Sequence, residues 1–325
     1  MTDTIQTPTR PAADAPTDPE QQLPTAPAPA PAPAAAVAAA AAAAAAEDVA
    51  VVAAVPRRRR VLLHGRGLFG LLLVGAILLL GLFAPVLTPY GPTEQIPGAN
   101  LLPASGRHPF GTDEVNRDVL TRALYGIRVD VLVVFVAVPL GALLGTAAGT
   151  LAALIRPADV AVQRVFDVIL AFPPIILAIG VTAILGAGIT PIFVVVVAVE
   201  IPYFGRLLRS SILTLRELPF VEAAEAIGAS RWWILRRHIL PNSAEPLFVQ
   251  LALSMSIAVF LESAMSFLGI GVRPPEPSLG TIIADAVSDL DTAPMQAVGP
   301  LLLVTGFVLG FQLIAQAVGA RRRIG

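Results

Sequence analysis

Residues 219–241 read PFVEAAEAIGASRWWILRRHILP. The stretch is polar and rich in Arg, yet it stands between apolar runs long enough to cross a membrane. Pro219 suits the first position of a helix, where its missing N–H is harmless. Gly228 suits the left-handed residue that stops one. About two turns lie between them. Phe220, Ala223, Ala224 and Ile227 are expected on one face, with Glu222 in the first turn, where the helix dipole favours a carboxylate. Ser230 is placed to cap a second helix holding Trp232, Trp233, Arg236 and Arg237, which Pro241 is expected to break. A membrane protein that keeps such a helix in water presents it to a soluble partner. The competing reading is an interfacial hairpin, with the Trp pair at the membrane surface and the Arg residues among headgroups.

Composition supports a membrane protein. Of 325 residues, 55% are hydrophobic and 14% charged, against roughly 25% charged in a soluble domain. Mean hydropathy is +0.76. There is no cysteine, which excludes disulfides, thiol catalysis and Cys-ligated metals. There is no lysine either, and G-x-x-x-x-G-K-[ST] is absent; this chain cannot be a P-loop ATPase by itself. His64, His108 and His238 are far apart and form no H-E-x-x-H pattern, so no metal site is expected. Nor is there a G-x-S-x-G elbow or a paired-carboxylate motif.

Residues 1–55 are low in complexity, passing from Thr, Pro and Asp to Pro-Ala repeats and an Ala run, and read as a disordered cytosolic tail. The alternative, a span at Ala34–Ala46, is opposed by weakly apolar Ala and by Glu47-Asp48 at its end. Residues 56–325 read as an all-α polytopic domain with six transmembrane helices. The spans fall at about 67–87, 130–154, 168–185, 192–204, 247–272 and 300–320. With the N-terminus in the cytoplasm, the inner loops hold 16 Arg, at 57–60, 66, 156, 164, 206, 209, 216, 231, 236, 237 and 321–323. The outer loops hold 5, at 107, 117, 122, 128 and 273, so both termini read as cytoplasmic. The Arg runs read as anchors at anionic lipid headgroups, not as nucleic-acid sites. The outer-loop Arg residues are expected to pair with Asp113, Asp118 or Asp130, or to meet a partner. Gly141, Gly145 and Gly149 repeat every four residues, a seam for a close helix neighbour.

Glu222-Ala223-Ala224-x3-Gly228-x11-Leu240-Pro241 resembles the EAA loop of the membrane subunits of binding-protein-dependent ABC importers. His108-Pro-Phe-Gly111-Thr112-Asp113, with Arg117, Asp118 and Arg122, resembles the first periplasmic loop of the C-type permeases of dipeptide, oligopeptide and nickel importers. Asp159, Arg164, Asp167 and Ala171-Phe-Pro173 resemble the start of that family's third span. Ser266-Phe-Leu-Gly-Ile-Gly-Val272 with Pro274-Pro275 and Pro277-Ser278 resembles the outer end of its fifth. Asn116 stands where the family usually has Gly, Asp130 where it has Ser, Ile201 and Leu279 where it has Trp.

The resemblance implies a permease in a bacterial cytoplasmic membrane, catalytically inactive itself and carrying peptides. Its partners would be a homologous second permease, two cytosolic ATPase subunits that hold ATP and Mg, and an extracytoplasmic solute-binding protein. The EAA loop, about 205–246, would couple to an ATPase through Glu222, Ala223, Ala224, Gly228, Leu240 and Pro241. Gly111, Thr112, Asp113, Arg117 and Asp118 would form the periplasmic-loop motif.

Two carboxylates fall in apolar runs. A charge at mid-span costs about 2.5–3.5 kcal/mol on insertion scales, so it faces a cavity or a partner. Glu262, with Ser266, is the candidate for the translocation path. Glu200 reads as an interfacial carboxylate near Arg206, and Asp167 as a partner of Arg164. A proton-coupled secondary transporter using Glu262 is the alternative function, although no internal repeat is apparent.

Overall fold

A computed structural model describes residues 65–320, all within the larger of the two units into which the chain divides, residues 58–325. The expected tail at 1–55 and the Arg clusters at 57–60 and 321–323 lie outside the described residues. Among the described residues there is no β-strand, only an isolated bridge between Thr112 and Asp118.

Helix α1 spans Arg66–Leu82 and is followed, after Phe83, by a single turn at Ala84–Leu87. An irregular loop leads to α2, Val119–Leu154. Next come α3 (Arg156–Ala171), α4 (Pro174–Leu185), α5 (Ile189–Leu215) and the short α6 (Pro219–Ala226). Helix α7 covers Arg231–Phe267. A second short helix, α8 (Leu279–Ala286), precedes α9 (Met295–Gly319). Helices α2, α5, α7 and α9 are each long and apolar enough to cross a membrane. The pair α3 and α4 meets the same test only when the two are joined, and it bends by 92°. At 17 residues α1 is shorter.

Several expected boundaries move, for local reasons. The span expected at 168–185 is two helices. Phe172 and Pro173 are extended (ψ 131° and 136°) because Pro173 and Pro174 each keep the residue before them out of the helical region. The span expected at 192–204 continues to Leu215, carried past Pro202 and the first cytosolic-type Arg residues. Pro241 does not break its helix. The turn before it, Leu235–Ile239, is a π-turn, and the Leu240 N–H reaches the Leu235 carbonyl, five residues back. The same arrangement precedes Pro139, where Val138 N–H bonds to Val133 O. A wider turn makes room for a ring that would otherwise strike the carbonyl four residues back. The 205–246 region is thus almost continuously helical, not a loop.

The glycine seam is present. Gly141, Gly145 and Gly149 are buried against α5. A Cβ at Gly145 would strike the Ile201 carbonyl oxygen, and one at Gly149 the Gly205 carbonyl oxygen.

Candidate functional site

Helix α6 is held at the α2–α5 end of the molecule by a small apolar cluster. Val221 and Ala224 pack against Leu208 and Ile212 of α5 and Ile234, Leu235 and Ile239 of α7. Pro219 occupies its first position, as expected. Gly228 ends it at φ 83°. The Gly228 N–H bonds to Glu225 O (2.9 Å) and the Ala229 N–H to Ala224 O (3.0 Å), the paired bonds of a Schellman stop. Ser230 caps the next helix by accepting from the Trp233 N–H.

One expectation about α6 is corrected. Phe220, Ala223, Ala224 and Ile227 do not share a face. Val221 and Ala224 point inward, three residues apart, while Phe220, Ala223 and Ile227 point outward. Ile227 is 83% exposed. Glu222 and Glu225 are also exposed. The outer face of α6 is therefore an apolar stripe flanked by carboxylates. His238 of α7 sits between the Phe220 ring (5.8 Å) and the Trp233 ring (5.0 Å), bridging the two helices. Leu240 packs on the cluster beneath α6, and Pro241 is exposed.

The outer-loop motif forms a knot at the opposite end of α2. Gly111 has φ 80°, and a Cβ there would strike Leu102 O. Thr112 Oγ1 accepts from the Leu102 N–H and donates to Ala99 O. Asp113 accepts from the backbone N–H of Val115 and Arg117 and from Arg117 Nε at 2.7 Å. Asp118 caps α2 through the Thr121 N–H and hydroxyl and also pairs with His108 at 2.8 Å. Gln296 of α9 donates to Thr112 O, tying the knot to the helix bundle. Of the expected ion pairs, Asp113 meets Arg117 and Arg122, whereas among the described residues no Arg pairs with Asp118 or Asp130. Arg122 also approaches Asp285 at 3.9 Å. Burial pushes the Asp285 carboxyl above its usual range, with the Arg122 and Arg117 guanidiniums opposing.

The two intramembrane carboxylates lie in different surroundings. Glu262 is fully buried and accepts from Ser266 at 2.8 Å and from Ser263. The Asp130 carboxyl of α2 lies beside it. Glu262 is thus enclosed where α7 meets α2, and Ser266 holds its carboxyl while accepting from the Val272 N–H. Glu200 faces a cavity. It is not an interfacial partner of Arg206, which binds Asp167 at 2.6 Å. Glu200 accepts from Ser254 at 2.5 Å and lines a groove of about 510 Å³ between α5 and α7. Sequence reading could not tell these surroundings apart because both residues sit in equally apolar runs, and only the helix rotation separates them. It also missed the bidentate pair between Asp159 of α3 and Arg209 of α5, both bonds at 2.6 Å. Arg164, the expected partner of Asp167, stands farther off at 3.9 Å. Among the described residues no group of three metal-ligating side chains comes together.

Residues 138–324 match the model of the binding-protein-dependent transport system inner membrane component family. Residues 58–104 match the N-terminal transmembrane domain of oligopeptide transport permease C. A dipeptide transport system permease protein of Alkalihalophilus pseudofirmus is 38% identical over 250 residues, 77% of this chain and 82% of that protein. A glutathione transport system permease protein of Pectobacterium atrosepticum is 36% identical over 254 residues, 78% of this chain and 83% of that one. Among solved structures, a chain of an inward-facing methionine ABC transporter superposes with a TM-score of 0.50 at 22% identity, covering 61% of this chain and 95% of its own. That likeness concerns the fold.

Proposed function

The chain belongs to the family of binding-protein-dependent transport system inner membrane components, and on that premise we propose that it forms half of the pore of an ATP-binding-cassette importer of di- or oligopeptides. The relatives named for dipeptide and glutathione transport support that cargo class. The pore is completed by a homologous second permease. Two cytosolic ATPase subunits, which hold the ATP and Mg, bind at the α6 end, and an extracytoplasmic solute-binding protein docks at the end carrying residues 88–118. The chain crosses the bacterial cytoplasmic membrane six times, with α1 and the joined α3–α4 pair as the two irregular crossings and both termini in the cytoplasm. Family membership leaves the proton-coupled secondary transporter without support.

The observation that carries the coupling role is the outward stripe of α6. Phe220, Ala223 and Ile227 are apolar and exposed on its outer side, Phe220 with one edge resting on His238, and Glu222 and Glu225 flank them. A groove on the ATPase surface takes this stripe, and Glu222 makes a charged contact at its edge. Ala224, Leu240 and the Gly228 stop hold the helix on its platform. ATP-driven closure of the ATPases moves the groove, and the helix transmits the movement to α5 and α7, on which it rests. Coupling works because the ATPases bind α6 differently in their two states.

Affinity purification of this chain from detergent-solubilised membranes, with mass spectrometry of what accompanies it, tests the reading. Wild type is expected to bring down a second permease and the ATPases. Phe220→Glu with Ile227→Glu is expected to lose the ATPases and keep the second permease. Retention of both by the double variant would remove α6 as the contact.

A further inference from the structure

The groove beside Glu200 has a feature that pore formation alone does not require. Glu200 lies roughly 16 Å along the axis from the start of α5, near mid-depth. Its carboxyl receives one hydrogen bond among the described residues, from the Ser254 hydroxyl to Oε2. A carboxylate offers about four acceptor positions, and buried ones are ordinarily satisfied. Ser254 in turn receives a bond from Gln250. The remaining polar lining is neutral, from Tyr203, Ser256 and Gln312, and among the described residues no cationic side chain lines the groove. The nearest cation on the same helix, Arg206, is engaged with Asp167. The walls are otherwise apolar, with Leu253, Ile257 and Phe260 exposed at the mouth.

An acidic group at mid-membrane without a protein counter-charge marks a path whose traffic supplies one. The volume suits a small solute, and apolar walls with a few convergent polar groups are the pattern of a binding site. We infer that Glu200 gives this groove a preference for cargo that carries a protonated amine beside apolar surface. The inference rests on the permease reading above and deepens it. The carboxylate takes the ammonium group, Ser254 holds the carboxylate in its rotamer, and the apolar walls take the adjoining side chain.

The absence of cysteine from the chain allows a test that does not depend on knowing the cargo. In the complete transporter in lipid nanodiscs, Leu253→Cys and, separately, Ile257→Cys each place a thiol in the groove wall. Alkylation by N-ethylmaleimide is timed with L-leucinamide or N-acetyl-L-leucinamide present, against a background complex without the added thiol. The amine is expected to slow alkylation by about tenfold and the acetylated form to have little effect. Adding Glu200→Gln should abolish protection while leaving the unprotected rate within about twofold, the sign of an intact groove. Protection by both amides or by neither, protection that survives Glu200→Gln, or thiols that never react would each overturn the inference. Uptake of free dipeptides into proteoliposomes by the same complex separates the two claims. Amine-specific protection without dipeptide uptake sinks the peptide assignment and keeps the carboxylate site. Uptake without amine-specific protection does the reverse.

Discussion

A single residue explains one departure from the family pattern, and another sets a pH dependence. Asn116 stands where relatives usually carry Gly, and its φ of 65° is left-handed. Asn is the non-glycine residue best suited to that region. Its carbonyl accepts from the Ile96 N–H, so the conformation is fixed by the loop rather than by the side chain. Asn116→Gly is expected to change stability by less than about 0.5 kcal/mol. Asn116→Val should cost about 1–2 kcal/mol through the strained backbone alone. Thermal unfolding in detergent, with the two variants in parallel, would show the difference. Asp285 gives a second expectation. Its carboxyl is raised by burial, so the folded protein holds that proton more tightly than the unfolded chain does. Its favourable contribution is present at low pH and is lost as pH rises through the folded value. The melting temperature of Asp285→Asn, measured against wild type, should therefore rise as pH climbs from the unfolded carboxylate range, about 4, through the higher folded value. A difference independent of pH would show that the Arg122 contact cancels the burial. Of these features only the Gly-like character of position 116 has a trace in the sequence. Asp285 meets Arg122 across 163 residues, and no local pattern announces that.

Helices are where sequence reading succeeds by chemistry and fails by geometry. Pro219, Gly228 and Ser230 act as start, stop and cap because those roles depend on backbone chemistry that each residue carries with it. Pro241 was expected to behave as a breaker and does not, because a π-turn before it absorbs the ring, as another does before Pro139. That accommodation is paid for by tertiary packing, which no local window contains. Ala224 shows the same limit: its membership of the inner face depends on where α6 lands on α5 and α7. The glycine seam is legible because close approach demands Gly at fixed spacing. Gly145→Leu should force α2 and α5 apart at the Ile201 carbonyl, at a cost at or beyond the upper end of ~1–3 kcal/mol for overpacking. Gly75→Leu in α1 meets nothing within 4 Å and should be tolerated. Yield of monodisperse protein from membranes compares the two. Equal losses would mean that glycine content, not the seam, is what the fold requires.

At the scale of the whole molecule the two ends differ in kind. One end is a hydrogen-bonded knot around Asp113 and Asp118, locked to α9 through Gln296. The other presents α6 on a small apolar platform, with its own apolar stripe uncovered. The excess of Arg near the α6 end is what supports the proposal that this end lies in the cytoplasm, and the same charges appear in α5 and α7 as ion pairs and exposed tips rather than as a loop. If a rigid end receives solute and a presented helix receives force, the ends must face opposite compartments. Val115 and Ile227 are exposed at the two ends, and the chain has no cysteine to interfere. A membrane-impermeant maleimide applied to intact spheroplasts should label Val115→Cys and spare Ile227→Cys. After permeabilisation Ile227→Cys should also react, and more slowly when the ATPases are bound than when they have been stripped away. Labelling of Ile227→Cys from outside would invert the orientation and detach α6 from any cytosolic partner. Labelling with the expected sidedness but no ATPase protection would keep the orientation and move the coupling contact elsewhere on the α6 end.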